Sequence, residues 1–555
     1  MRDIKGAGLL LASPVAWLAV AMIPLVILLI LPVSIPIGPM YWDTYLYLDA
    51  AQRIWNGQVP AVDFLTPVGP LGYYLFAWGL RLFQNAQPLL LAQWCMLVVA
   101  VPLMALAVAD VAREHRPLTL ALVVPFLLFA VSPANVQAFH PDPGLDGFGV
   151  YNRHAVILLY VMTTGLLFLQ DSRKMALFLA AVMLALFLTK VTGFLVGGLL
   201  GLQALLAGKV SLRHSVLAAS LFVVALALLE LPTGMISAYV REILQLVEMN
   251  DGSMLPRSVS TASAKLDVLI PVGLLVLVLA WNVWKHGKSD TRSLDHGVWW
   301  LCVALFGGWM FETQNTGSHE FIFIWPILLM LWTRIGHLNP RLKMTVLVLA
   351  AFATIPTATK VAHRTIRSAM VSPSYASLDL PLVKNMQQVR SRADIIGHAQ
   401  YLETHYQNHG HVYTDLPNWH YYSNLDFQLY WIMSASHAVE AILKFEAENA
   451  VKLASLMTLD FSNPFPWLLD RQATKHIQIG AVPGRTVPPM TPKTKEAVEA
   501  TAGVLRPKCP STDARHIIED HYREALTSRQ VVELTPCWDL LLHQDLAVAR
   551  SPAAP

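Results

Sequence analysis

The chain reads as an α-helical, multi-pass membrane protein that ends in a separate α/β domain. Three observations carry this reading. Of the 555 residues, 55% are hydrophobic and 14% charged, with a mean hydropathy of +0.47. Apolar runs long enough to cross hydrocarbon recur through the first two thirds. From His363 onward no such run remains, and polar residues interleave with short hydrophobic stretches.

Taken in order, the spans fall near 10–33, 87–109, 117–132, 155–170, 174–189, 191–207, 215–231, 266–284, 297–311, 321–336 and 343–358, about eleven in all. Several are short or broken by Gly and Pro, and the pair on either side of Lys190 is the least regular. The first stretch is too long and too weakly cleavable for a removable signal peptide, and further spans follow it. Basic residues gather in alternate loops, among them Arg2, Lys5, Arg113, Arg116, Arg173 and Lys174. The opposite loops hold few, chiefly Arg53, Arg81, Lys190, Arg241 and Arg257. That asymmetry puts the N-terminus inside. The chain is thus expected in the bacterial inner membrane, with residues 1–358 as the membrane domain and 359–555 outside, periplasmic in a Gram-negative host. The net charge of +3 follows from topology and gives no hint of nucleic-acid binding.

The tail alternates helical and strand-like patterns, as a small α/β domain of about 195 residues would. Helices are expected over 382–407, 436–449, 493–502 and 513–527. Strands are expected at HVYTD (411–415), KLASLMTLDF (452–461), IQIG (477–480) and VVELTPCW (531–538). No Gly-rich phosphate fingerprint follows any strand, so nucleotide binding has no support. Cys509 and Cys537 fall in this outward, oxidising part and are expected to bond to each other. Two free buried thiols is the competing possibility. Cys95 and Cys302 lie in spans, where a thiol behaves as a small apolar residue.

The outward loops hold the polar residues that a buried site needs. Asp43 lies about ten residues past the first span, in YWDTYLYLDAAQRIWNGQVPAVDFLTPVGPLGYYLFAW (41–78). A carboxylate at the mouth of a membrane cavity is costly to keep and is usually there for chemistry or ion handling. The bland alternative is an N-cap for the helix starting near Thr44. The loop after the third span holds His140, Asp142, Asp146, Tyr151, Asn152, Arg153 and His154; the loop after the ninth holds Glu312, Gln314, Asn315, His319 and Glu320. Lys190 interrupts LALFLTKVTGFL, where a lone ammonium needs a partner or an anionic ligand. Each has a plainer use: Asp142 and Asp146 as turn formers around Pro143 and Gly144, Arg153 snorkelling, His154 as a satisfied core histidine, Lys190 paired with an acid such as Asp142. Arg53 and Arg81 are expected to face headgroups, and Arg241 and Arg257 to sit in a long loop away from the site.

One long span, an outer loop with an early Asp, the G-x-x-P-x-x-D-F stretch (Gly57, Pro60, Asp63, Phe64) and G-P-L-x-Y-Y (Gly69 to Tyr74) resemble the GT-C glycosyltransferases. The chain is most similar to their bacterial branch, near the lipid A aminoarabinose transferases, protein O-mannosyltransferases and rhizobial lipopolysaccharide transferases. The resemblance covers roughly 1–358 and implies an inverting glycosyltransferase. Such an enzyme moves a sugar from a polyprenyl-phosphate donor to the hydroxyl of an extracytoplasmic glycan, lipid or protein. The first-loop acid matches Asp43, which would activate the acceptor hydroxyl. Cations must stabilise the departing lipid phosphate, and Arg153 and Lys190 are the candidates. Asp142, Asp146, Asn152, His154, Gln314, His319 and Glu320 complete the expected substrate-binding set.

Several members have two adjacent acids in this loop, and here Thr44 follows Asp43. No cofactor is certain; a divalent metal is possible, with Asp142 or Asp146 supplying the second carboxylate to Asp43, since one rarely holds Mg²⁺ or Ca²⁺ alone. The competing functions are a multi-span transporter or lipid-glycan flippase, and an O-antigen polymerase or ligase. A transporter would show inverted halves and polar groups near mid-span, whereas here polar groups gather at the outer ends.

Overall fold

The structure is a computed structural model, described for residues 14–38, 40–134, 142–250, 252, 254–286, 294–314, 321–337, 339–409 and 424–546. It is mostly helical, and each apolar stretch read from the sequence holds a helix. Among the described residues, five helices are long and apolar enough to cross a membrane by length and composition: Pro88–Ala107, Ser172–Thr189, Leu212–Thr233, Leu266–Lys285 and Pro340–Ser374. Shorter apolar helices such as Arg116–Val131, Val191–Leu206 and Ile322–Arg334 stand among them. The Leu212–Thr233 helix shows why the pattern is apolar all round. Leu212, Val216, Val223, Leu228 and Leu231 are all exposed on it, which suits a lipid neighbour and would be costly in water.

Between Leu212–Thr233 and Leu266–His286 the chain forms two helices, Met235–Asn250 and Met254–Ala264, where a long loop is expected from the sequence. The first is two-sided. Met235, Ala238, Tyr239 and Glu242 are buried, at the i, i+3, i+4, i+7 spacing of one helix face, while Val240, Leu244 and Val247 are exposed.

The Pro340–Val371 helix runs past residue 358, its last turns carrying Lys360, His363, Arg364 and Arg367. Beyond it, strands β1 (Ile35–Pro36), β2 (Ala376–Ser377) and β3 (Val389–Ser391) form a small sheet in the order β1-β3-β2. Ile35 pairs in parallel with Val389, so the exit of the first span is sewn to the tail. The helix expected over 382–407 begins only at Ala393. Before it, Lys384 takes φ +46 while its ammonium reaches the Trp467 carbonyl at 2.7 Å and Asp470 at 3.2 Å, which holds this stretch as a turn.

The main tail sheet has the order β5-β4-β6-β8-β7, with β4 (Ser455–Thr458), β5 (Gln472–Ala473), β6 (Gly503–Pro507), β7 (Gln530–Thr535) and β8 (Trp538–Leu542). Strand β4 runs parallel to β5 and β6; β8 is antiparallel to β6 and β7. Helices Leu425–Asn449, Pro492–Glu499 and Asp513–Leu526 accompany it. The HVYTD stretch lies outside the described residues. IQIG is not a rung of this sheet. It pairs with the first loop: Leu65 N–H donates to the Ile477 carbonyl and Ile479 N–H to the Leu65 carbonyl, both at 3.0 Å. Cys509 and Cys537 are bonded, with Cα atoms 5.0 Å apart.

Arg53 corrects its expected place at the headgroups. It is fully buried, with Nε 2.8 Å from Asp49 and Nη1 2.6 Å from the Thr474 carbonyl. It pins the tail onto the first loop, because a guanidinium out of water must find such partners.

Candidate active site

The Asp43–Trp55 helix starts at the aspartate itself. Trp42 is its N-cap and gives no side-chain cap bond. The Asp43 carboxylate turns to the next outer loop, where Oδ2 accepts the Gly149 N–H at 3.0 Å. Gly149 has φ +61, a left-handed conformation that glycine enters without steric cost. Further back, the loop passes Ile37 so closely that a Cβ on Gly144 would lie 2.2 Å from the Ile37 carbonyl oxygen. These two glycines let residues 144–149 run beside the first loop. Burial pushes the Asp43 carboxyl up to about 6; the Gly149 amide works against that, the Asp146 charge adds to it, and Arg153 opposes it. A general base poised there is ionised at neutral pH and still basic enough to take a proton.

Asp43 opens onto a cleft of about 1550 Å³ between the apolar helices, the Met235–Asn250 helix and the tail. Tyr151, Lys190, Thr192, Glu242, Arg257, Gln314 and Arg485 line it with Asp43, among apolar groups such as Phe148, Ile243, Leu246 and Val247. Lys190 sits where Ser172–Thr189 hands over to Val191–Leu206 and is 7% exposed. Its ammonium donates to Asn152 Oδ1 at 2.6 Å and stands 4.3 Å from the centroid of the Phe311 ring. The hydrogen-bond partner is a neutral amide, and the Glu312 carboxylate acts on the ammonium from farther off. At another edge, Arg257 Nη2 donates to Asn250 Oδ1 at 3.3 Å, and Asn250 Nδ2 donates to the Arg485 carbonyl at 3.1 Å. Partial burial and the nearby Arg485 charge lower the Arg257 pKa. Two like charges held together disfavour each other and favour an anion between them.

Glu242 is 5% exposed and faces the same cleft. It accepts from the Thr66 amide and hydroxyl, both at 3.3 Å. Burial pushes its carboxyl up to about 8 despite those donors, so near neutrality it is largely protonated.

Of the residues singled out in the sequence, Asp43, Tyr151, Lys190 and Gln314 line the cleft. Asn152 holds Lys190 from behind, and Asp146 lies buried where its charge is felt at Asp43. Arg153 is buried outside the lining and donates through Nη2 to the Asp146 carbonyl at 3.1 Å. His154 is in the core with a ring nitrogen 3.2 Å from the Gln93 carbonyl, the plainer of its two uses. Asp142 faces Arg392 of the tail at 2.8 Å. His319 and Glu320 lie outside the described residues. Asn250, Glu242 and Arg485 are additions, and Arg257, expected in a long loop away from the site, is found in its lining. The face spacing over 235–242 was the available signal for Glu242; Arg257 and Arg485 meet only through the fold. Among the described residues no three His, Cys, Asp or Glu side chains gather to hold a metal ion. Asp43 and Asp142 point to different partners.

No family model matches the chain, and no curated protein matches it. Two solved structures are similar to it, those of ArnT from Cupriavidus metallidurans in the apo state and bound to undecaprenyl phosphate. Identity is 12% and 13%, and each comparison covers 96% of this chain and 99% of that one, with a TM-score of 0.40. At this score the likeness concerns the course of the chain and carries no inference about the chemistry of the cleft.

Proposed function

We propose that the protein is a membrane glycosyltransferase that takes a sugar from a polyprenyl-phosphate donor and passes it, with inversion, to a hydroxyl outside the cytoplasm. One observation carries the reading: a single cleft beside apolar helices holds a poised carboxylate, Asp43, together with the cations Lys190, Arg257 and Arg485. The acceptor oxygen attacks the anomeric carbon as its proton passes to Asp43 Oδ1 or Oδ2. The bond from that carbon to the phosphate oxygen breaks, and the lipid phosphate leaves with the bonding pair. Negative charge grows on the phosphate as it departs, so fixed cations lower the barrier where they are aimed at it. Lys190 is held by Asn152 for that task, and Arg257 with Arg485 offers guanidinium donors suited to phosphate oxygens. Apolar groups on Met235–Asn250 provide a path for the prenyl chain. The reading takes about eleven spans with the tail on the outer face, the side on which such lipids present their sugars.

The test is transfer itself. Purified protein in nanodiscs is given polyprenyl-phosphate sugars labelled in the sugar, with an extract of envelope glycans as acceptor. Label should leave the lipid fraction with wild-type protein and stay there with Asp43→Asn. Movement of intact labelled lipid between leaflets without transfer would replace the reading with a flippase.

A further inference from the structure

A second cleft, of about 890 Å³, lies along an adjacent face of the same Met235–Asn250 helix. At 100° per residue, Ala238, Arg241 and Gln245 project on one side of that helix and Tyr239, Ile243 and Leu246 on the next, with Glu242 between. The first set lines the second cleft, the latter set lines the cleft of Asp43, and Glu242 borders both. The remaining walls come from the 61–65 turn and from the tail, through His476, Pro488, Pro489, Lys493 and His521.

Its charge is one-sided. Arg241 and Lys493 are exposed, and among the described residues neither lies within ion-pair distance of a carboxylate, although the Arg241 charge is felt at Glu230. Neighbouring lysines are paired: Lys475 lies 3.0 Å from Asp63, and Lys495 bridges to Glu524. The acid in the lining, Glu242, is hydrogen-bonded to Thr66 and largely protonated near neutrality. Val62 and the two prolines give an apolar strip beside these cations, the mixture of surfaces that the C–H face and the charged substituent of an acidic sugar require.

We infer that this second cleft docks an anionic saccharide, one bearing carboxylate or phosphate groups, at a site separate from the reaction cleft and sharing the Glu242 wall with it. The binding claim does not depend on the transfer reading. Full-length protein in detergent is titrated by calorimetry with tetragalacturonate and with neutral maltotetraose. The acidic sugar should bind at least about tenfold more tightly, with affinity falling as salt rises. The double variant Arg241→Gln/Lys493→Gln should weaken it about tenfold, the loss expected of two partly exposed charge contacts. Both side chains are exposed, so the melting temperature should hold. Asp43→Asn should bind as wild type does, which separates failure here from failure of the proposed reaction. Equal affinity for both sugars, or no change in the double variant, would overturn the inference. So would binding of phosphatidylglycerol vesicles in place of the sugar, since the cleft would then take a phospholipid headgroup.

Discussion

Replacing Asp43 by Asn should abolish transfer and leave the protein no less stable. The side chain keeps its shape, and an amide oxygen can still accept the Gly149 N–H, 3.0 Å away in the wild type. What it loses is the capacity to take a proton, a contribution of about 10²–10⁴ in rate for a positioned base. Stability moves the other way. Holding a carboxyl at about 6 against an ordinary 3.8 costs the ionised form about 3 kcal/mol at 1.36 kcal/mol per pH unit. Asp43 is only half-buried at the edge of an open cleft, so solvent reduces this to about 1–2 kcal/mol. The sign follows from linkage. Between pH 4 and 6 the folded state holds more protons at this position than the unfolded state, so stability falls as pH rises through that window and stays lower above it. Asn removes this penalty. Thermal unfolding of wild type and variant at pH 4 and 7.5, with transfer measured in parallel, checks both halves. The expected result is a variant inactive at pH 7.5 and level with or above wild type in melting temperature there, the difference shrinking at pH 4. Wild-type transfer also should fall as pH drops through about 6. A variant that retains activity, or one that is inactive because it melts several degrees lower, would refute the assignment of Asp43 as a strained functional base.

Arg257→Gln should raise the apparent donor KM with little change in melting temperature, because the side chain is half-buried and, among the described residues, its hydrogen-bond partner is Asn250; steady-state kinetics over donor concentration reads this. Lys190→Met should lower kcat as well, and unlike Arg257→Gln it should also cost stability, since Asn152 Oδ1 loses its donor inside the core; full activity in both variants would remove the phosphate-binding role. Arg53→Met should destabilise by about 3–5 kcal/mol, the cost of stranding a buried carboxylate, and Arg53→Met/Asp49→Leu should recover part of it in denaturant melts. A cysteine replacing Gln400 should react with an impermeant reagent in intact spheroplasts while one replacing Lys285 stays protected, and the reverse pattern would overturn the outward placement of the tail.

Particular residues show how far the sequence reaches. The apolar stretches are legible because a helix facing lipid is apolar all round, as Leu212–Thr233 is. Asp43 stands out because an acid is rare beside such spans. Lys190 stands out for the same reason, but its partner does not: Asn152 rather than an acid meets it, across two helices. Arg257 reads as a loop residue because Met254–Ala264, with MLPRSVSTASA, carries a Pro and several Ser and Thr that look like a loop. Its helix and its meeting with Arg485 depend on packing between segments more than 200 residues apart. Arg53 reads as a headgroup contact from its neighbours in the chain, and only the return of the tail at Thr474 shows it to be internal. Strand β6 is hidden by the Arg and Pro in GVLRP, although burial on both faces and the ladder to β4 and β8 place it centrally.

The central claim is that a lipid phosphate lies in the cleft with Asp43. A cryo-electron microscopy map of the full chain in nanodiscs with added polyprenyl phosphate tests it most directly. The phosphate density should fall within hydrogen-bonding reach of Lys190 Nζ or the Arg257 and Arg485 guanidinium groups, with the chain running along Ile243, Leu246 and Val247. Density for the phosphate in the separate apolar groove lined by Trp325, Trp332 and Ile355, with the Asp43 cleft empty, would contradict the account.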